Sequence, residues 1–579
     1  MKLIDALRIV GEKGNRELPV LRVGLVCGFT PMHFQTFLGA YIQSASTGQR
    51  TEVASGLYGD FWGNLEELSS GKEADDLAII VMEWSDLDAR LGLRSLGSWA
   101  PAALPGILEN ARARAKQFVG AIEKLSREVP VAICFPTLPV PPISFAPGCQ
   151  ANSFVLELRS LIAGLSLDVV RIRNVRVVDP QRLDLLSPQS ERHDAKAELL
   201  SGFPYKLAHA STLAELLTRL TYPPAPKKAI ITDLDDTLWG GILGEVGLQG
   251  ITWDLEHKTH MHGAYQRLLH ALSEAGVLIG VASKNEPQIV RQAMAREDLI
   301  LPGSAVFPVE AGWGPKSEAV ERILRTWNIA ADAVVFIDDS PMELAEVRAQ
   351  HPGIETILFP KTDYQGLNDL FYRLRDLFGK SSISQEDSLR RDSIRRAVEA
   401  APAGSFQSAD AFLEQAEAEF LFDFSKDQAD DRAFDLINKT NQFNLNGRRL
   451  TEASWQGFLK QSDTFLLAVT YQDKYGPLGK IAVVAGRVRG KTLRVDHWVM
   501  SCRAFSRRIE HRTLEELIRR FSVQGITLEF EQTPRNGPLR EFLGQLLDGE
   551  PTSSCRVSRH KVDEFLSKTL PKVAEVARG

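Results

Sequence analysis

The sequence predicts a multidomain α/β protein: two parallel sheets wrapped by helices, followed by a smaller α+β part with antiparallel strands. Three observations carry that expectation. Short apolar runs alternate with longer amphipathic stretches over residues 21–179, and a second series of the same kind follows a proline-rich hinge. The last third instead sets apolar runs in succession with no helix between them. Length agrees, since 579 residues make three to four domains at roughly 150 residues each.

In the first series LRVGLVCGF (21–29), LAIIVMEW (77–84), PVAICFP (130–136) and VVRIRNVRVVD (169–179) read as buried strands. Helices are expected around 33–44, 105–126 and 153–165. TLPVPPISFAPG (137–148) reads as a loop at a strand end, where α/β folds place binding groups. EWSDLDARLGLR (83–94) reads as an exposed loop, or alternatively as a surface that docks a partner. TYPPAPKK (221–228) is a hinge, so a boundary is expected near 225. AIITDLDDT, GVLIGVAS, AVVFIDD and ETILFP form the second series, and the polar stretch after Phe378 reads as a linker entering a helix. FLFDF, FLLAVTY, KIAVVAGRV, TLRVDHWVM and ITLEFEQ supply the final sheet. The expected parts are thus 1–224, 225–380, a linker at 381–404, and 405–579.

Composition is that of a globular chain, with 44% hydrophobic and 25% charged residues. A net charge of −6 gives no bulk attraction for nucleic acid or an anionic membrane. Apolar runs fall far short of the ~20 residues that span a bilayer, and charges interrupt the N-terminal apolar residues too often for a signal-peptide core. Cys27, Cys134, Cys149, Cys502 and Cys555 are odd in number and lack CxxC spacing, so neither a disulfide framework nor a zinc site is indicated. The expectation is a soluble, reduced, cytoplasmic chain without nucleic-acid or membrane partners.

The strongest chemical signal is Asp233-Leu234-Asp235-Asp236-Thr237, directly after an apolar run. Carboxylates at the end of a buried parallel strand lie where ligands bind, and acids so close repel one another unless a cation lies between them. The alternative is that they cap helices or hold a structural cation. Further along, Ser283-Lys284-Asn285 ends a second strand, Lys316 follows in GWGPKSEAV, and Asp338-Asp339 ends a later strand.

This order resembles the haloacid dehalogenase (HAD) superfamily of phosphatases and phosphotransferases. The resemblance implies that Asp233 is the nucleophile and Asp235 the general acid and base. Ser283 and Lys316 would hold phosphate oxygens, with Thr237 and Asn285 beside the substrate. Asp233, Asp235, Asp338 and Asp339 would hold Mg2+. Few residues separate Thr237 from the next strand, so no large lid is expected and the site should be open to a bulky or protein-delivered substrate.

The flanks DLDDTLWGGILGEVG, SKNEP, FIDDSPMELAEVR, LINKTNQFNLNGRR, DKYGPLG and MSCR are similar to the FkbH-like HAD proteins, over most of 225–510. That resemblance implies a glyceryl unit, taken from a bisphosphoglycerate-type donor, loaded as a thioester onto a phosphopantetheinylated acyl carrier protein in polyketide-type pathways. Acyl transfer calls for a thiol. Cys502 precedes a helix expected from near Arg507, among Arg503, Arg507 and Arg508, a setting that favours thiolate; the other reading is a small packing residue. Cys27 is the second candidate and His497 a possible base.

The C-terminal layout resembles the N-acetyltransferase (GNAT) fold, whose RxxGxG/A loop cradles a pantetheine pyrophosphate. Here Arg503-Ala-Phe-Ser506-Arg-Arg508 lacks both glycines, which leaves the arginines to meet the phosphate of a carrier's prosthetic arm. Asn441, Gln442 and Asn444 either bind an acyl or pantetheine amide or terminate a helix. The N-terminal part resembles an SGNH-hydrolase-like fold without its GDS nucleophile block, so hydrolysis is not expected there. The rival functions are a phosphatase acting on a sugar or lipid intermediate, and a catalytically silent scaffold.

Overall fold

The computed structural model describes residues 1–11, 18–46, 49–70, 75–95, 100–141, 146–224, 227–379, 418–426, 431–440, 442–450, 452–473, 476–501, 504, 507–533, 535–551 and 553–569. The chain divides into two compact units: Met1–Pro224 with Leu450–Phe458, and Ala225–Arg449 with Leu459–Gly579. The expected linker at 381–404 lies outside the described residues.

The first unit holds a five-stranded parallel sheet of β1 (Val20–Cys27), β2 (Arg50–Ser55), β3 (Leu77–Val81), β4 (Val131–Cys134) and β5 (Val175–Val177), in the order β2-β1-β3-β4-β5. β3 and β4 are buried along their whole lengths, as expected of central parallel strands covered on both faces. Helix Leu104–Leu125 covers one face with Ile107, Ala111, Ala115, Phe118 and Ile122, spaced three or four apart. Helix Ser153–Val170 starts at Asn152, whose side chain accepts from Val155 N at 3.0 Å.

Two expectations fail in this unit, each for a physical reason. The strand expected over 169–179 is mostly helix and turn. Leu158, Leu165 and Val169 extend the buried stripe of helix Ser153–Val170, and Asn174 turns the chain at φ 65° before a strand of three residues. The segment 83–94 is also not an exposed loop. It forms helix Trp84–Leu87, with Glu83, Trp84, Leu87, Asp88 and Leu91 buried.

The buried Glu83 carboxylate accepts from Thr137 Oγ1 and Tyr205 Oη, both at 2.7 Å, and from the amides of Thr137 and Leu138 at 3.1 and 3.3 Å. Because Thr137 Oγ1 donates to Glu83, it must accept from His209 Nε2, 3.1 Å away. His209 Nδ1 then accepts from the Ser187 hydroxyl at 2.9 Å. Burial drives His209 down to about 3, so the ring is neutral as this tautomer requires.

The second unit contains two sheets. β6 (Ala229–Thr232), β7 (Leu278–Ser283), β8 (Val306–Ala311), β9 (Val334–Asp338) and β10 (Glu355–Leu358) pair in parallel in the order β10-β9-β6-β7-β8. β6, β7 and β9 are buried throughout and sit centrally, so their C-terminal ends lie side by side. Between β6 and helix His260–Glu274 the chain forms one short helix, Leu243–Gly250, kinked at Gly247 with φ 70°.

The other sheet comprises β11 (Glu419–Asp423), β12 (Phe443–Asn444), β13 (Thr464–Asp473), β14 (Gly476–Arg489), β15 (Thr492–Met500), β16 (Gly525–Leu528) and β17 (Cys555–Ser558). Its pairs are antiparallel except β15 with β16, which run parallel. β16 pairs only with Thr492–Val495 of β15, and β12 takes Val499 and Met500. The fold class is therefore mixed α/β, with two parallel sheets and one mixed sheet.

Candidate active site

Register explains how the central acids meet. β6 and β9 pair with Thr232 opposite Ile337, so the next residues, Asp233 and Asp338, leave the sheet as neighbours. The Asp233 amide continues the ladder to Ile337 O at 2.9 Å. Both side chains are buried, Asp338 completely. Helix Lys316–Trp327 begins on Lys316 itself and delivers Nζ between them, 2.6 Å from Asp338 Oδ2 and 3.0 Å from Asp233 Oδ2. Asp338 Oδ1 accepts from Ser340 N at 2.9 Å, and Ser340 caps the following helix, Pro341–Gln350.

Asp233, Asp338 and Asp339 each present an oxygen within 4.8 Å of the others. Against these acids and Asp236 stand two cations. Lys316 is one. The other, Lys361, bridges Asp236 at 2.6 Å and Asp339 at 2.9 Å. Asp233 Oδ1 is buried and among the described residues has no hydrogen-bond partner, so a cation is the natural complement to an excess of carboxylate and one orphaned buried oxygen. The donor set, all oxygen, fits a hard divalent ion.

Burial pushes the Asp233 carboxyl up to about 7; Lys316 pulls it down and Asp338 pushes it further up. Burial likewise raises Asp338. Lys316 is the reverse case, since the two acids outweigh burial and keep its ammonium form. Burial also opposes ionisation of Asp236, but the Lys361 hydrogen bond and the Gly241 N–H together hold its carboxyl below the ordinary range.

Asp235 is placed differently. Its Oδ1 accepts from Trp239 Nε1 at 3.0 Å and Leu243 N at 3.1 Å, and its Oδ2 from Asn285 Nδ2 at 2.9 Å. The converging group of three carboxylates is Asp233, Asp338 and Asp339, and the Asp235 side chain lies outside it. Three N–H donors orient it beside the strand end instead. Asn285 also donates to Ser283 Oγ at 3.1 Å, which ties two expected substrate contacts to the candidate acid–base residue. Thr237 is fully buried with its hydroxyl 3.5 Å from Asp339 Oδ1.

Lys361, Trp239 and His262 were missed by the sequence reading. His262 Nδ1 lies 2.9 Å from Thr237 O and its ring stacks on Phe359, 5.3 Å between centroids. No local sequence signal marks Lys361: only the pairing of β10 with β9 brings the loop after β10 beside Asp339.

Cys502, Arg503 and Asn441 lie outside the described residues. Helix Ile509–Phe521 starts after Arg508, at φ 53°, so Arg507 and Arg508 precede it. Asn444 Nδ2 donates to Thr440 O at 2.9 Å, just past helix Asp431–Lys439, while Oδ1 accepts from Gly447 N at 2.8 Å. Its amide group is spent on its own chain. Gln442 is half-buried just before β12. Burial lowers His497 to about 4. Cys27, the second thiol candidate, is buried with Sγ 3.4 Å from Phe29 O, and burial pushes its thiol well up, so the reactive thiolate is disfavoured there.

No model of a known family matches the chain, and no curated protein matches it. Among solved structures it is similar to the N-terminal part of the protein BF1531 from Bacteroides fragilis, which contains a phosphatase domain and is complexed with Mg. That match has 20% identity and a TM-score of 0.53, and covers 66% of this chain and 100% of the other. A second solved chain, at 14% identity over 35% of this chain and 94% of its own, has a TM-score of 0.20 and bears no weight. At such identity the first likeness is one of fold alone. No helix among the described residues is long and apolar enough to cross a membrane.

Proposed function

We propose that the chain is a Mg2+-dependent phosphatase or phosphotransferase with Asp233 as nucleophile, and that it serves to make a glyceryl-type thioester on an acyl carrier protein. The observation that carries the first part is the orphaned, buried Asp233 Oδ1 within a group of converging carboxylates and a buried lysine. Asp233, Asp338 and Asp339 would hold the ion, as the similar Bacteroides fragilis protein is complexed with Mg. When bound, the ion supplies positive charge that lets an anionic carboxylate approach an anionic phosphate.

The chain's own residues supply the rest. Asp233 attacks phosphorus, its new O–P bond forming as the substrate's P–O bond breaks. Asp235, held by Trp239, Leu243 and Asn285, gives the departing oxygen a proton. It then takes a proton from water, which attacks the aspartyl phosphate and restores Asp233. Lys316, buried with charge intact, stabilises the phosphoryl oxygens. The short Leu243–Gly250 helix in place of a lid suits a bulky or protein-delivered substrate.

The glyceryl step rests on the FkbH-like flanks. A donor with an acyl phosphate has an activated carbonyl, which a thiolate opens with loss of phosphate; the remaining phosphate ester then suits the Asp233 site. Incubation with bisphosphoglycerate and a holo carrier protein, followed by intact mass, tests this. A glyceryl adduct on the carrier is the expected result. Phosphate release with an unmodified carrier would favour the simpler phosphatase of a sugar or lipid intermediate, and loss of neither phosphate nor glyceryl would favour the scaffold.

A further inference from the structure

The first unit carries a separate convergence of polar side chains, independent of the carboxylates described above. Its sheet order reverses between β1 and β3, so the chain leaves these neighbouring strands in opposite directions. In open α/β sheets the ligand-binding crevice lies beyond the C-terminal ends of two such strands.

Three loops and one turn meet there. The loop after β1 carries Thr30, whose amide donates to Gly202 O at 3.0 Å and whose hydroxyl donates to Ser201 O at 2.8 Å. The loop after β2 brings Tyr58, and the segment after β3 brings Arg94. Gly202 ends helix Ala195–Ser201 at φ 77°. A Cβ at Gly202 would meet the Tyr58 hydroxyl, a terminal nitrogen of Arg94 and Thr30 Oγ1, all closer than 3.0 Å. Side chains from positions 30, 58 and 94 thus crowd one point, and only a glycine with left-handed φ leaves that point open.

These groups are short of partners. The Arg94 guanidinium lies over the Tyr58 ring, 5.4 Å from its centroid, and pairs with no carboxylate among the described residues. The Tyr58 hydroxyl, on a half-exposed ring, makes no hydrogen bond among them. Among the described residues Arg94 and Tyr58 are therefore exposed donors with no protein acceptor, while Thr30 Oγ1 donates to Ser201 O and keeps lone pairs that can accept. In the loop after β1 a Cβ on Gly28 would strike Asp86 Oδ1. Burial, with Glu83 adding to it, pushes this carboxyl up to about 8 despite the Glu83 N–H it accepts.

We propose that this crevice binds the oxyanion of a small hydroxylated molecule, a phosphate ester or a carboxylate, with the Arg94 fork pairing the oxyanion and the Tyr58 hydroxyl donating to it. Thr30 Oγ1 is left to accept from a hydroxyl of the same molecule.

Titration calorimetry of the full chain in EDTA, with inorganic phosphate and with glycolate as probes, tests the site. Wild type should bind at least one probe saturably. Arg94→Gln should weaken that binding about tenfold or more, Arg94→Lys less, and Tyr58→Phe by severalfold, with thermal midpoints unchanged. Binding of phosphate alone assigns a phosphate ester, and of glycolate alone a carboxylate. If neither probe binds, or if the Arg94→Gln and Tyr58→Phe isotherms superpose on wild type, the proposal is overturned. Tyr58→Phe removes a single oxygen and keeps the test valid should Arg94→Gln misfold.

Discussion

Asn285 shows how much of the candidate chemistry depends on a side chain that touches no phosphorus. It donates to both Asp235 and Ser283, so its loss frees the candidate acid–base carboxylate on one side. Asn285→Ala is expected to lower kcat about 10- to 100-fold with KM little changed, and to shift the acidic limb of the pH–rate profile, measured by phosphate release. Asp233 gives a pH prediction with a definite sign. A carboxyl raised to about 7 favours the protonated folded form, so without metal this group costs stability increasingly as pH rises from the ordinary carboxylate range to about 7. Mg2+ needs the ionised form. Its addition should therefore raise Tm more at pH 8 than at pH 6, and an equal rise at both would contradict the assignment. Asp233, Lys316 and Asp338 were legible because each sits at the end of an apolar run or opens a helix. Lys361 was not, because only the β10-β9 pairing brings it beside Asp339.

Elements read well where a buried stripe was long and poorly where two patterns overlapped. Helix Leu104–Leu125 falls within a residue of the 105–126 expected from spacing. The valines at 169–170 fit both a strand and the continuing stripe of helix Ser153–Val170, and the longer pattern won. Segment 83–94 misled because its charges suggested solvent, whereas Glu83 is satisfied internally by donors from residues 137, 138 and 205. No local pattern could reveal partners so distant in sequence. Glu83→Leu would strand those donors in the interior, and it should destabilise the first unit by about 3 kcal/mol, read as a drop in its urea midpoint. Thr137→Val removes only the hydroxyl that links Glu83 to His209, and it is expected to cost less.

At the scale of the molecule, alternation of strand and helix predicted two parallel sheets, and the succession of apolar runs predicted the third; all three sheets are present. The parallel β15–β16 pair within that third sheet could not be read, since strand direction leaves no mark in an apolar run. Function divides the same way. The candidate carboxylate site lies at the C-terminal ends of the central strands β6 and β9, while the proposed acyl loading rests on flanking motifs that include Cys502. Cys502→Ala should abolish glyceryl transfer to the carrier and leave phosphate release from a simple phosphate ester within about twofold, measured in parallel assays.

The most direct test is an acid-quenched turnover with Mg2+ and a phosphate ester, followed by peptide mass mapping. A phosphoryl adduct on Asp233 in the wild-type protein, absent from Asp233→Asn together with phosphate release, is the expected result. Unimpaired phosphate release by Asp233→Asn would contradict the account.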